Sequence, residues 1–374
     1  MSNQKIKIKL NKYVSRETLH KIPARYIVLV GGRDNGKSFA TKEDIIKNFL
    51  EKGEEFAYIR RYEDECKQYM VQEYFADIIC DKQGHRHLEE WTKGKYNYIY
   101  TDHASIFFGN IADDGKVTRG EKFGRMFNVN KQSKVKSLAF PKISTCVYEE
   151  FITDEGFLQD EVKRFMSLIS TILRDKKDCR VYLVGNTLSR INPYVKAWQL
   201  KGLKKQAPNT IDYYHYNYKG DDQQMHMASI AVYMTHSRDE NSGMFFGKEA
   251  EIITGTVWES KEQPHLDFNK MACKTLYTMV FDYDDNMFLM EFLETPDGNV
   301  CWYVSPKTTE IKKDTRIVSN KFILNELATQ SFTALTPTEQ KLFSYLKDDR
   351  ITFADNLTGT EFKQCYSMIK KILF

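Results

Sequence analysis

The chain has 374 residues, 41% of them hydrophobic, with 55 Lys and Arg against 51 Asp and Glu, a formal net charge of +4. That length supports two compact domains, while so small an excess charge excludes any argument for a nucleic-acid partner from net charge alone and leaves it to local clusters. The seven cysteines include no CxxC pair and are odd in number, which suits a reducing compartment; with a polar, lysine-rich start and no run of ~18 apolar residues, the expectation is a soluble cytosolic protein with no membrane span or signal peptide.

Tyr26-Ile-Val-Leu-Val30 is a short apolar run ending at Gly31, as a buried parallel strand should. Lys37 to Leu50 places Phe39, Ile45, Ile46, Phe49 and Leu50 at helical spacing, with Gly53 as a C-terminal stop. Phe56-Ala-Tyr-Ile59 then predicts a second strand, so the chain opens as a strand-helix-strand unit. Cys80, His85 and His87 lack a second close pair of metal ligands and read as a polar loop around Gly84. Tyr98–Tyr100 and Ser105–Phe108 predict a hairpin. Lys142–Tyr148 and Arg180–Val184 predict strands flanking a helix marked by Val162, Phe165, Met166, Leu168, Ile169 and Leu173. The alternation predicts an α/β domain with a mostly parallel sheet and helices on both faces.

Near Leu203 the character changes, and the expected division is a domain over 1–205, a linker or small helical connector over 206–255 that includes a helix at Met225–Met234, and a second domain over 256–374. In the second domain Leu276–Phe281, Met287–Leu293 and Val300–Val304 predict an antiparallel meander, with Pro296-Asp-Gly-Asn299 as a turn. Helical spacing returns at Lys321–Leu327, Pro337–Leu346 and Thr360–Leu373.

Gly31-Gly32-Arg33-Asp34-Asn35-Gly36-Lys37-Ser38 matches GxxxxGK[ST] in full, directly after a buried strand and opening a helix. The glycines let backbone N–H groups and the helix N-terminus face phosphate, Lys37 reaches the β and γ phosphates, and Ser38 ligates magnesium. Thr145-Cys-Val-Tyr-Glu149-Glu150 is an apolar strand ending in two carboxylates. Glu149 is assigned to the magnesium shell, in a place more often filled by Asp, and Glu150 to activation of the attacking water. Arg174, at the end of a helix, is placed to reach a neighbour's γ-phosphate if the chain forms a ring. Asn186, after a strand, either senses the γ-phosphate or caps a loop. The absence of an NKxD element favours ATP over GTP as the nucleotide, with Mg2+.

Together Gly31–Ser38, Phe56–Tyr62, Ser144–Ile152, Thr171–Arg174, Gly185-Asn186 and Asn192–Tyr194 resemble the phi29-type DNA-packaging ATPases of small tailed bacteriophages, a family of P-loop ATPases of the ASCE class. The resemblance covers most of Tyr26–Tyr194. It implies a pentameric ring at the portal of a procapsid in the host cell cytoplasm, moving double-stranded DNA by ATP hydrolysis. It also implies catalytic Glu150, Arg174 as a trans-acting finger, and Lys136 in contact with a neighbouring subunit's nucleotide. The second domain is then expected to be a smaller α+β fold similar to RNase H that has lost its nuclease chemistry.

Lys116, Arg119, Lys122, Arg125, Lys131, Lys134, Lys136 and Lys142 form a local basic bias suited to following DNA phosphates. In the second domain Asp282 and Glu291, with Glu361 as a third partner, are the candidates for a two-metal carboxylate cluster, and an inactive nucleic-acid-binding module is the preferred reading there. Two alternatives stand beside the packaging motor: a P-loop helicase or recombination ATPase, and a non-catalytic DNA-binding assembly protein that uses ATP only to assemble.

Overall fold

β1 (Tyr26–Val30) is buried along nearly its whole length, and its alternate residues feed two different cores. Val28 and Val30 pack with Ile59, Tyr148, Phe165, Ile169 and Leu173, whereas Ile27 and Leu29 pack with Ile45, Ile46, Tyr58, Phe75 and Tyr182. A strand buried on both faces has no polar alternation, which is why its sequence is a continuous apolar run. In the computed structural model of the chain the residues described are 13–32, 35–153, 157–174, 176–186, 191–200, 202–203, 206–219, 223–235, 262–283, 286–311, 315–320, 329–331 and 335–373. They divide into two compact units, the first running to Trp258 apart from short interruptions, the second made chiefly of Glu259–Phe374.

In the first unit, α1 (Arg16–His20) precedes β1, and α2 (Lys37–Lys52) leads to β2 (Glu55–Arg60). After α3 (Gln68–Tyr74), α4 (Ala76–Ile79) and α5 (His87–Trp91) come β3 (Tyr98–Asp102), β4 (Ser105–Ile111), β5 (Val117–Asn128) and β6 (Ile143–Glu149). α6 (Glu161–Leu173), β7 (Arg180–Gly185), α7 (Pro193–Ala197), β8 (Thr210–Lys219) and β9 (Met225–Met234) complete it. The nine strands form one sheet in the order β3-β4-β5-β2-β6-β7-β1-β9-β8. From β5 to β9 all neighbours are parallel, while β3-β4-β5 and β8-β9 are antiparallel additions at the two edges. The fold is mixed α/β with a large, mostly parallel sheet.

One expectation requires correction. Met225–Met234 is strand β9, parallel to β1, rather than a helix, and Thr210–Lys219 pairs with it, so the described part of 206–255 belongs to the main sheet instead of forming a connector. The basic stretch around Arg119–Arg125 is strand β5, paired in parallel with β2. Its Gly124 faces Phe56 so closely that a Cβ there would lie 2.2 Å from Phe56 Cε1. The helix expected at Lys321–Leu327 lies outside the described residues, as do Asp284 and Asp285.

The second unit holds a six-stranded sheet. β10 (Lys274–Tyr283), β11 (Asn286–Glu294) and β12 (Val300–Pro306) make the expected antiparallel meander. β13 (Arg316–Ser319) and β14 (Thr329–Ser331) extend it in parallel beyond β10, and β15 (Ile351–Phe353) pairs in parallel with β12. Gly298, at φ 81°, turns the chain between β11 and β12, a conformation glycine adopts without a Cβ clash. Met279, Phe281, Met290, Trp302, Phe343, Phe353 and Phe362 form the core, the last three carried by or next to the helices Pro337–Lys347 and Asn356–Leu373.

Glu339 caps the first of these helices from within, accepting from the Thr336 N–H at 2.7 Å, and it also accepts from Arg316 Nη2 at 3.0 Å. Burial alone would raise its carboxyl, but the hydrogen bonds from Arg316 and then Thr336 outweigh that and hold it down to about 2. A carboxyl lowered in the folded state stabilises above its unfolded pKa, and that contribution is lost as pH falls through the folded value. Urea unfolding of the second unit should therefore lose on the order of 3 kcal/mol between pH 5 and pH 2 through this group, and Glu339→Gln should show a correspondingly shallower pH dependence.

Candidate nucleotide-binding site

The register of the sheet brings the sequence-predicted residues to one edge. Val30 aligns with both Gly185 and Met234, Glu149 with Val184, and Ile59 with Tyr148. The residues that leave the C-terminal ends of five adjacent parallel strands are therefore Arg60-Arg61, Glu149-Glu150, Asn186, Gly31 and Thr235. In an open parallel sheet this is the edge where ligands bind.

Gly36 caps α2 in the left-handed conformation at φ 78°, and the loop it ends is fastened at several points. Thr235 N–H donates to the Val30 carbonyl at 2.8 Å, and its hydroxyl accepts from Asn35 Nδ2 at 2.9 Å. A Cβ on Gly31 would lie 1.9 Å from that hydroxyl, so only glycine fits between β1 and Thr235. On the other side Val14 N–H donates to the Asn35 carbonyl at 3.0 Å. Lys37 is buried, and its ammonium donates to the Gly31 carbonyl at 3.1 Å, to the Gly32 carbonyl, and to Asn35 Oδ1 at 3.3 Å. Arg33 and Asp34 lie outside the described residues. Thr235 went unnoticed in the sequence because its strand pairs with β1 across some two hundred residues.

Ser38, at the start of α2, donates to Glu149 Oε2 at 3.3 Å, and Tyr74 on α3 donates to Glu149 Oε1 at 3.0 Å. Glu149 is buried. Burial pushes its carboxyl up, against the pull of the Tyr74 hydroxyl, the Lys42 and Arg60 charges and the Ser38 hydroxyl. Among the described residues no side-chain cation pairs with it directly. Glu150 has a positive φ of 54°, which turns its side chain out of the strand, where Arg60 Nη2 holds its Oε2 at 2.6 Å.

Arg61 is buried and forms a two-point ion pair with Glu161, Nε to Oε2 at 2.9 Å and Nη2 to Oε1 at 3.1 Å. Its guanidinium also donates to the Glu150 carbonyl at 3.2 Å and the Phe151 carbonyl at 2.8 Å. Glu161 receives Tyr148 Oη at 2.9 Å, Tyr194 Oη at 3.2 Å and the Leu158 N–H at 2.8 Å.

Arg174 is the C-cap of α6, and its Nη2 donates to the Lys136 carbonyl at 3.4 Å. Both residues are exposed, so the two positions expected to reach a neighbouring subunit are brought together. Asn186 follows β7, half-buried. Of the basic cluster, Lys122 pairs with Glu55 at 3.0 Å, Arg119 with Asp102 at 3.6 Å, and Lys131 with Glu63, which diminishes the charge left for a nucleic acid. In the second unit Asp282 aligns with Met287 and Glu291 with Thr278. The two carboxylates are thus four residues, about 13 Å of strand, apart. Ser319 donates to Asp282 at 2.8 Å, and Lys270 pairs with Glu291. Among the described residues no group of three or more His, Cys, Asp or Glu is arranged to hold a metal ion, and no helix is long and apolar enough to cross a membrane.

The model of the family described as Podovirus DNA encapsidation protein (Gp16) matches residues 11–110 and 118–212. The DNA packaging proteins of Bacillus phage B103 and Bacillus phage phi29 are 32% and 31% identical over 169 residues, 44% of this chain and 45% and 44% of theirs. The chain matches less than half the length of these curated relatives. Among solved structures, the bacteriophage Phi-29 viral genome packaging motor assembly aligns at a TM-score of 0.49 and 18% identity, over 97% of this chain and 100% of that one.

Breaking a buried ion pair from one side leaves an uncompensated charge. Glu161→Ala should therefore lower the stability of the first unit by about 3–5 kcal/mol in denaturant unfolding. Replacing both partners, Arg61→Met with Glu161→Leu, should cost less than Glu161→Ala alone, and a larger loss in the double variant would contradict this account.

Proposed function

Because this chain belongs to the Podovirus DNA encapsidation protein (Gp16) family, we propose that it is the ATP-hydrolysing motor that drives double-stranded DNA into a viral procapsid. The observation that carries the enzymatic part is the contact between Ser38 and Glu149 at 3.3 Å beside the buried Lys37. A buried carboxylate met by two hydroxyls and, among the described residues, by no directly paired cation suits a divalent ion, so Ser38 and Glu149 are the residues that would hold magnesium. Bound there, magnesium would neutralise charge on the β and γ phosphate oxygens.

Lys37 is the mobile element of the loop in this reading. It gives up the Gly31 and Gly32 carbonyls and takes phosphate oxygens in their place, while the N–H groups of Gly36 and the first turn of α2 face the same anion. Glu150 orients and deprotonates the attacking water once its Oε2 leaves Arg60 Nη2, which holds it at 2.6 Å. Asn186, at the end of the neighbouring strand β7, would contact the γ-phosphate. Arg174 and Lys136 project from the surface and would complete the nucleotide site of the next subunit in a ring, a pentamer by family likeness.

For the second unit we propose an RNase H-like module that binds nucleic acid without cutting it. Support comes from the antiparallel meander β10-β11-β12 extended in parallel by β13 and β14, and from the separation of Asp282 and Glu291. The site of action would be the host cell cytoplasm, at the portal. A packaging assay with procapsids and purified protein tests the whole reading: DNA-stimulated hydrolysis that moves DNA without procapsids would favour a helicase, and negligible turnover an assembly protein.

Glu150→Gln should keep ATP binding while turnover falls by ~10²-fold or more; a more severe loss in Glu149→Gln with binding intact would reverse the two roles. Arg174→Ala should bind ATP normally yet lose ~10³-fold or more in hydrolysis even when assembled. Mixed with Lys37→Ala, it should recover part of the activity, since some interfaces then join an intact P-loop to an intact arginine. A mixture that stays inactive although both variants enter rings would refute the trans role.

A further inference from the structure

Glutamate at position 149 carries one more rotatable bond than the aspartate usual at such a site, so the backbone of β6 does not by itself fix where the carboxylate lies. Something must select its rotamer. Two hydroxyls grip it, Ser38 on Oε2 and Tyr74 on Oε1. Tyr74 is in turn held by the same helix that carries Ser38. Lys42 on α2 donates to the Tyr74 carbonyl at 2.8 Å and lies 4.8 Å from the centre of its ring, and a second bond at 2.5 Å ties Lys42 to Asp77 on α4. On its other side the Tyr74 ring packs against Tyr58, with centroids 4.9 Å apart, and Tyr58 belongs to β2, the strand paired with β6. The phenol is therefore referenced both to the helix that bears Ser38 and to the strand beside Glu149.

We propose that Tyr74 is the positioning residue of the metal side of the site: its hydroxyl takes up one oxygen of the longer acid and so presents the other to Ser38 and a divalent cation. The inference rests on the reading of Ser38 and Glu149 as the magnesium site. A hydroxyl that merely satisfied a buried carboxylate would support the fold equally with or without the ion, whereas a positioning hydroxyl matters only when the ion is bound. It also matters only for an acid long enough to need it.

Both consequences are measurable on the full chain with a fluorescent ADP analogue and Mg2+ as the probes. Tyr74→Phe retains the ring packing and removes only the hydroxyl. It should raise the Mg2+ concentration needed to tighten nucleotide binding by ~10-fold, the scale of a lost hydrogen bond to a charged group, and leave binding in EDTA unchanged. In a Glu149→Asp background the same substitution should have an effect of less than about 2-fold, because the shorter side chain no longer reaches the phenol. An unaltered Mg2+ dependence in Tyr74→Phe, an equal weakening in EDTA, or an undiminished effect in the Glu149→Asp background would each overturn the assignment of Tyr74 while leaving the magnesium site intact. Binding by the parent chain that ignores Mg2+ would instead refute the magnesium reading, and this inference with it.

Discussion

The arrangement of the site depends on the buried pair of Arg61 and Glu161. Arg61 follows β2, Glu161 opens α6, and the chain between β6 and α6 carries Glu150. By donating to the carbonyls of Glu150 and Phe151 as well as to Glu161, one guanidinium ties the end of β2 to both ends of that loop. Coulomb attraction inside a protein roughly offsets the desolvation of two charges, so the pair is better understood as a device for position than as a source of stability. Its remaining lone pairs are filled by Tyr148, Tyr194 and the Leu158 N–H, which is the condition for a buried charge to be tolerated. Held in this way, Glu150 can occupy a left-handed backbone conformation that costs a non-glycine residue about 1–3 kcal/mol, and its neighbour Arg60 is left free of that anchoring role to meet its side chain.

The loop between β1 and α2 follows the same logic. Lys37 has satisfied its ammonium on the carbonyls of its own loop, so under the proposed reading an incoming phosphate would exchange for existing partners. Asn35 links that lysine to Thr235, its Oδ1 facing Lys37 and its Nδ2 donating to the threonine hydroxyl. The anchoring of the loop to β9 rather than to β1 alone makes the shape of the loop a property of the sheet. That is why Gly31 admits no side chain.

How much of this could be read in the sequence depended on whether the signal was local. Gly31–Ser38, the run Tyr26–Val30 and the strand ending in Glu149-Glu150 each carry their signature within eight residues, and the structure brings Ser38 within 3.3 Å of Glu149. Met225–Met234 has an apolar second half that fits either a strand or a helix, and what decides it, parallel pairing with Tyr26–Val30, is invisible to local periodicity. β5 was hidden because its exposed first half, Val117–Lys122, is polar, charged and interrupted by a glycine, with no apolar alternation to mark a strand. Tyr74 had no signal at all, since one tyrosine among Val71 and Phe75 on a short helix looks like core, and only the proximity of Glu149 gives its hydroxyl a purpose.

The same distinction bears on Arg174. An arginine at a helix end is ordinarily explained by the helix dipole and the last free carbonyls. Its side chain here does not turn back to those carbonyls; it reaches the carbonyl of Lys136, thirty-eight residues earlier in the chain. That contact ties the Arg174 guanidinium to the main chain at Lys136, and among the described residues neither side chain forms an ion pair. Two exposed cations without a counter-charge are open to an anion brought by another molecule. The proposal that these two residues face a neighbour's phosphates therefore rests on their exposure without an ion-pair partner among the described residues, as well as on family likeness.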